Sequence, residues 1–192
     1  MPRHCILIGA TSEIAQGLTS RLQTDGWTIT GLTRHSQFTQ PLPKWDLFLS
    51  AQGTMEPIGR FFETPVVEWQ YAMDVNAMKP LRWLRVAWPQ RNPGACVVFL
   101  GGPNMTRMTP TYTAYRASKS IIESICETLE VEYPGHRFRV LHPGVVNTRI
   151  HQETLLAGHR AANYERAKRI VSGEEKTVTH DEVYAKLKAL LP

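Results

Sequence analysis

The 192 residues are 42% hydrophobic and 20% charged, which makes one domain of ordinary size with enough apolar content for its own core. No run approaches the roughly 18 apolar residues of a membrane helix. The first residues lack signal-peptide anatomy, and Cys5, Cys96 and Cys126 are odd in number, far apart and without metal-ligand spacing. Disordered, fibrous, disulfide-rich secreted and transmembrane classes are excluded, and the thiols read as reduced cysteines of a cytoplasmic protein. The net charge of +5 is spread thinly, with nine Lys/Arg against seven Asp/Glu in residues 1–100 and thirteen against ten in the remainder. No nucleic-acid partner is therefore expected. The densest basic run, from Arg160 to Arg169, reads as a solvated helix face.

In chain order, Cys5–Gly9 predicts a first strand. It runs into the turn Gly9-Ala10-Thr11-Ser12-Glu13-Ile14-Ala15, and Ile14, Leu18 and Leu22 then recur at helical spacing. Trp27–Leu32 predicts a second strand, followed by Thr33-Arg34-His35-Ser36. The linker Gln37–Lys44 is polar, contains prolines and is too short for a helix and a strand. Asp46–Ala51 predicts a third strand. Val66 to Met78, continued by Leu81, Leu84 and Trp88, predicts one long helix disturbed near Pro80. Cys96–Leu100 is the fourth strand, Ile121 to Leu129 an amphipathic helix, and Phe138–His142 the fifth strand. Short strands apolar on both faces, alternating with helices, imply an α/β, doubly wound parallel sheet of Rossmann type in a single domain over residues 1–192.

Two segments carry candidate chemistry. The first turn lies between strand and helix, where a dinucleotide pyrophosphate meets helix N-terminal amides. Gly9 permits the tight turn, Thr11 and Ser12 offer hydroxyls, and Ala15 is small enough for close packing. Glu13 is a poor neighbour for phosphate unless it turns away, and an ordinary strand-to-helix turn would read the same. At the end of the second strand an acidic residue would favour a free ribose 2′-hydroxyl. Arg34 and Ser36 instead suit a 2′-phosphate, so NADP is expected over NAD, although a solvated surface arginine reads alike. Tyr115 and Lys119, one helical turn apart, form the second segment. An ammonium beside a phenol favours the phenolate, so the pair can donate or accept a proton at a carbonyl or alcohol.

Six motifs in register make the chain resemble the short-chain dehydrogenase/reductase family of the classical type. They are the Gly9 turn, Ser50-Ala51-Gln52-Gly53, Asp74-Val75-Asn76, Val97 to Gly102, Tyr115-x-Ala117-Ser118-Lys119, and Pro143-Gly144-Val145-Val146-Asn147-Thr148. The resemblance covers about residues 5–150, and Thr179 to Val183 is similar to the family's penultimate helix. It implies hydride transfer with Tyr115 as the proton donor or acceptor. Lys119 would lower the Tyr115 pKa and hold the nicotinamide ribose, and an Asn76 main-chain group would hold a relay water. Asn76 also reads as a polar residue at a helix kink. Ile14 and Ala51 fall among the implied cofactor contacts, as do Pro143 and Gly144. Val146 and Thr148 match positions on the nicotinamide carboxamide, and Gly53 would allow the adenosine half a close approach. No metal is implied.

Four departures stand out. The family serine that polarises the substrate oxygen is Gly102 here, with Asn104, Thr111, Thr113 or a water as candidate substitutes. The family's Asn-Asn-Ala-Gly is Ser50 to Gly53. One internal βα unit, with an aspartate for the adenine, is collapsed into Gln37–Lys44. The last strand is missing. A trimmed sheet of about five strands, in order 2-1-4-5-6 by the family's labels, is expected.

Residues 150–172 should cover the substrate. Their His151, His159, Arg160, Tyr164, Arg166, Lys168 and Arg169 favour a small carbonyl or alcohol of anionic or sugar-like character. The helices Leu81–Trp88 and Ile121–Leu129 are those through which the family commonly forms a homodimer or larger homo-oligomer, and simple core packing would read the same. The alternative reading is a catalytically impaired dehydrogenase-like protein that senses dinucleotide or docks a partner, motivated by Glu13, Gly102 and the shortened adenine side.

Overall fold

A computed structural model describes residues 2–102 and 109–192. Its strands are β1 (His4–Ile8), β2 (Thr28–Leu32), β3 (Trp45–Ser50), β4 (Arg91–Leu100) and β5 (Arg137–Leu141). All pair in parallel, in the order β2-β1-β3-β4-β5. That is the order expected once the collapsed unit is skipped. Residues 37–44 form neither helix nor strand. Their Phe38 packs on Trp83 with ring centroids 4.4 Å apart, and Leu42 joins the same cluster.

The period of two along each strand sorts the core into two layers. Cys5, Leu7, Leu47, Leu49, Cys96 and Val98 face one side. There they meet Leu18 and Leu22 of α1 (Glu13–Thr24) and Val183 and Leu187 of α7 (His180–Leu190). Ile6, Ile8, Phe48, Val97 and Phe99 face the other side. There they meet Trp83, Leu84 and Ala87 of α3 (Lys79–Ala87) and Ile122 and Cys126 of α4 (Thr113–Glu132). Strands buried between helices need this apolarity on both faces. β4 begins earlier than predicted, but its register against β3 shifts between Trp45 and Leu47, across Pro93 and the left-handed Gly94. Regular pairing resumes at Cys96.

The long central helix is interrupted as anticipated, by one π turn. α2 (Val66–Met73) passes into α3 through Asp74–Met78, where the Lys79 N–H reaches back five residues to the Asp74 carbonyl. Pro80 explains the insertion. It has no N–H for the Asn76 carbonyl four residues earlier, and its ring crowds that carbonyl.

β5 is an outer strand. Its Phe138 N–H donates to Glu130 Oε2 of α4 at 2.7 Å, and the same carboxylate pairs with Arg139. Beyond β5 the chain forms α5 (Ile150–Ala157), a short 3-10 turn and α6 (Tyr164–Val171). A capping box then opens α7: Thr179 N donates to Glu182 Oε2 at 2.7 Å, and Glu182 N donates to Thr179 Oγ1 at 3.2 Å.

Candidate active site

The carboxyl ends of the central strands open into one cleft, roofed by α5 and α6. Tyr115, Lys119, Ala51 and Gly53 line it, as do Ser12 and Ile14 of the first turn. Pro143, Gly144, Val146 and Thr148, which follow β5, complete that side. Gly9 and Thr11 belong to the adjoining turn without lining the cleft, and Arg34 and Ser36 stand outside it.

Tyr115 and Lys119 sit in the first two turns of α4, on the stripe that also buries Ser118, Ile122 and Cys126. Tyr115 is 7% exposed and packs with Ile58, Tyr112 and Ala161, against Ile150 and Tyr164 of the covering segment. Lys119 is 4% exposed, donates from Nζ to the Leu100 carbonyl at 2.9 Å and lies 5.7 Å from the Tyr115 ring centre. Burial pulls its pKa down to about 8. Against the expected lowering, burial dominates at Tyr115. Burial, reinforced by the negative charge of Glu153, pushes Tyr115 up to about 12. Desolvation of the buried phenol favours its neutral form.

Asn76 lies in the π turn, 2% exposed. Its Oδ1 accepts from Thr54 N at 2.8 Å, and its Nδ2 donates to the Thr54 carbonyl at 2.9 Å and to Ser118 Oγ at 3.1 Å. The side chain therefore clamps the loop after β3 to α4 and leaves only main-chain groups for a water. Asn76→Ala strands the buried Thr54 amide and carbonyl. It is expected to cost about 2–3 kcal/mol of stability, read as a shifted denaturant midpoint. Gly53 lines the cleft, close to residues of two other elements. A Cβ there would meet Asn76 Oδ1 at 3.3 Å and Lys119 Nζ at 3.6 Å.

On the phosphate side Gly9 is required. Its φ is +75°, and a Cβ would stand 2.8 Å from Gln52 N. Gly9 N and Ala10 N both donate to the Leu32 carbonyl, at 2.9 and 3.1 Å, which holds the end of β2 beside the turn. Ser12 caps α1, its Oγ accepting from Ala15 N at 3.2 Å. Glu13 does not turn away: it lines the cleft beside Ser12, and its Oε1 accepts the Arg149 N–H at 3.1 Å. Ser36 Oγ accepts from Thr33 N, and the exposed Arg34 donates to His35 Nε2 at 3.3 Å.

At the substrate end, Gly102 lines the cleft where the family places its serine. Of the suggested substitutes, Asn104 lies outside the described residues. Thr113 is exposed, Thr111 Oγ1 accepts from Ala162 N, and neither lines the cleft. Tyr112 does line it, its hydroxyl donating to Thr154 Oγ1 at 3.3 Å. Of the basic and histidine residues in 150–172, His151 and Arg166 line the cleft, whereas His159, Arg160, Lys168 and Arg169 do not. Arg166 is paired with Glu175 at 2.7 Å and Lys168 with Glu165 at 3.4 Å. The buried His151 ring bonds the Val146 carbonyl, and burial lowers its pKa. Glu153 lines the cleft as well, together with Glu13, Lys119 and Arg149. Sequence reasoning missed Tyr112 and Glu153. The only available signal was that each lies three residues from a residue already singled out, Tyr115 and Ile150. Among the described residues no group of three His, Cys, Asp or Glu is placed to hold a metal, and no helix is long and apolar enough to cross a membrane.

Comparison with known proteins agrees with this geometry. Residues 28–191 match a family model described as enoyl-(acyl carrier protein) reductase. An uncharacterized oxidoreductase of Schizosaccharomyces pombe is 27% identical over 106 residues, 55% of this chain, and the match spans only 43% of that relative's length. Among solved structures, ligand-free aldohexose dehydrogenase of Thermoplasma acidophilum superposes with a TM-score of 0.83 at 16% identity, over 99% of this chain and 87% of that one. A small-chain dehydrogenase in complex with NADPH gives 0.82 at 16% identity, over 99% and 91%. A short-chain dehydrogenase family protein of Francisella tularensis gives 0.82 at 16% identity, over 100% and 92%. At such identities the superpositions speak for the fold. The family model covers most of the chain, and on that match the protein belongs to the short-chain dehydrogenases/reductases.

Proposed function

We propose that the protein is an NADP-dependent oxidoreductase that interconverts a small carbonyl compound and its alcohol. The observation that carries this reading is the Tyr115–Lys119 pair, buried one turn apart in the wall of the cleft. The cleft fits a dinucleotide. The α1 N-terminus offers amides to an anion, and Gly53 leaves room beside Lys119 Nζ that a side chain would fill. Thr11 and Ser12 supply hydroxyls to the pyrophosphate, and Val146 and Thr148 border the nicotinamide end.

When bound, NADPH supplies the hydride. Tyr115 gives its phenolic proton to the substrate oxygen in reduction and takes one back in oxidation. Lys119 holds the ribose and, once its charge faces the phenol across less water, favours the phenolate. The Asn76 main chain anchors the water that returns the proton. NAD is the weaker alternative, because β2 is followed by Arg34 and Ser36 with no acid for a 2′-hydroxyl.

Calorimetric titration with NADPH, NADH and their oxidised forms tests the preference. Wild type should bind NADPH more tightly than NADH. Arg34→Ala should weaken NADPH roughly 10–100-fold while NADH stays within about twofold, as loss of a charge-assisted contact to phosphate predicts. Equal wild-type affinities reject the assignment.

Reduction of a carbon–carbon double bond, named in the description of the matched model, would use the same hydride and proton donors, so an enoyl thioester belongs in the substrate panel. Gly102 favours a second reading, a dinucleotide sensor or docking partner without turnover, and reduction of any panel member eliminates it. The proposal includes a cytoplasmic homo-oligomer. Ile121 and Leu129 pack partly into the core, whereas Val66, Val67 and Tyr71 of α2, with Phe62 just before it, are exposed apolar side chains.

A further inference from the structure

Among helices and strands, α5 and α6 pack chiefly on each other and on the 3-10 turn between them. Glu153 of α5 ties this cover to the loop after β3. Its Oε2 accepts from Thr54 Oγ1 at 3.1 Å and from Met55 N at 2.7 Å. Burial raises the Glu153 pKa, while the Met55 and Thr54 donors and the charge of Arg149 favour the ionised form. Thr54 is the residue that the Asn76 side chain binds at both its N–H and its carbonyl, and Asn76 Nδ2 also donates to Ser118 Oγ. Ser118 Oγ then donates to the Tyr115 carbonyl at 2.7 Å. Step by step these bonds lead from the cover to the main chain of Tyr115. Thr54, Asn76 and Ser118, which link the two ends, are all buried.

We propose that Glu153 is a positioning residue through which the cover sets the alignment of Tyr115: with α5 seated, Thr54, Asn76 and Ser118 hold the first turn of α4 in working register. This rests on the oxidoreductase reading above. Proton transfer to a bound substrate is sensitive to displacements of a fraction of an ångström, so the groups behind the phenol matter as well as the phenol. Buried hydrogen bonds that share members reinforce one another, and a contiguous run of them carries a change at one end to the other. The arrangement confines full alignment to the covered cleft, from which water is excluded.

A strap that merely fixes α5 to residues 54–55 makes a different prediction. Glu153→Ala removes both bonds to the loop, Glu153→Gln keeps an acceptor for them, and Ser118→Ala cuts the far end of the run. With NADPH and butanal, kcat is expected to fall roughly 10–100-fold in E153A with a smaller change in the KM for butanal, and E153Q to recover to within about threefold of wild type. The E153A/S118A double variant should lie within about threefold of the weaker single one, because both substitutions cut the same run. An unchanged kcat in E153A, an E153Q as poor as E153A, or losses that multiply in the double variant overturn the inference. Hydrogen exchange read by mass spectrometry needs no turnover. In E153A, peptides covering residues 74–78 and 113–119 should exchange at least about threefold faster, while those of β1 stay as in wild type. That pattern in a protein that does not reduce butanal supports the coupling and counts against the oxidoreductase reading alone. Faster exchange confined to residues 54–55 and α5, or spread evenly over the chain, overturns the coupling whether or not turnover is seen.

Discussion

Tyr115→Phe is expected to lower carbonyl reduction by about 10²–10⁴-fold, the range typical of a lost general acid. The ring stays, so its packing with Ile58, Tyr112 and Ala161 stays, and thermal stability should change little. NADPH affinity, measured by calorimetry, should hold within a few-fold because Lys119 and the first turn are untouched. A variant with full activity would remove Tyr115 from the mechanism. The pH dependence follows from the same group. With the phenol pushed up to about 12 by burial and by Glu153, it stays protonated through the neutral range. Reduction uses the protonated form and should be flat between about pH 6 and 8. Oxidation uses the phenolate, whose fraction grows about tenfold per unit below the pKa, so its kcat/KM should climb with pH. A bound oxidised nicotinamide, being cationic, moves the rise to lower pH.

Gly102→Ser should move activity in the opposite direction. A Cβ at this position would lie 3.4 Å from Lys119 Cγ and 3.6 Å from Tyr115 Cε1, which are ordinary contacts. The hydroxyl therefore enters without displacing either residue, beside the phenol that handles the proton. Loss of one donor to a developing oxyanion costs on the order of 10²–10³ in rate. Restoring one should raise kcat for a neutral carbonyl by about tenfold or more, with KM less affected, because charge on the oxygen develops mainly in the transition state. An unchanged or lowered kcat would mean that the oxygen is already held, and Tyr112 would be the first residue to examine by substitution to Phe.

The fold was largely legible because each strand is an apolar run broken by turn residues. The family motifs fell where strands end, and those ends converge in a parallel sheet. The early start of β4 was not legible, since Arg91 pairs across an irregularity that Pro93 and Gly94 create. The helix disturbance near Pro80 was visible, but a missing N–H does not say that the chain answers with a π turn rather than a kink. The site was legible where local spacing decides it, as for Tyr115 and Lys119, and less so where distant loops meet. The neighbours of Gly53, Asn76 and Lys119, come from two other elements, which local spacing does not show. The covering segment was read as basic from its composition. Composition does not show that Arg166 is paired with Glu175 or that Glu153 lines the same cleft.

The carboxylate of Glu130 has a consequence for the protein as a colloid. An outermost strand normally offers its free amides as a template on which another chain can build, and such growth has no natural end. Here the Phe138 amide is already taken from within the molecule, and the Glu130–Arg139 charges stand at the point where a newcomer would have to align. A strand arriving at this edge must first displace that carboxylate, at the cost of separating it from its guanidinium. At the β5 edge a side chain thus acts where a further strand would otherwise pair with Phe138.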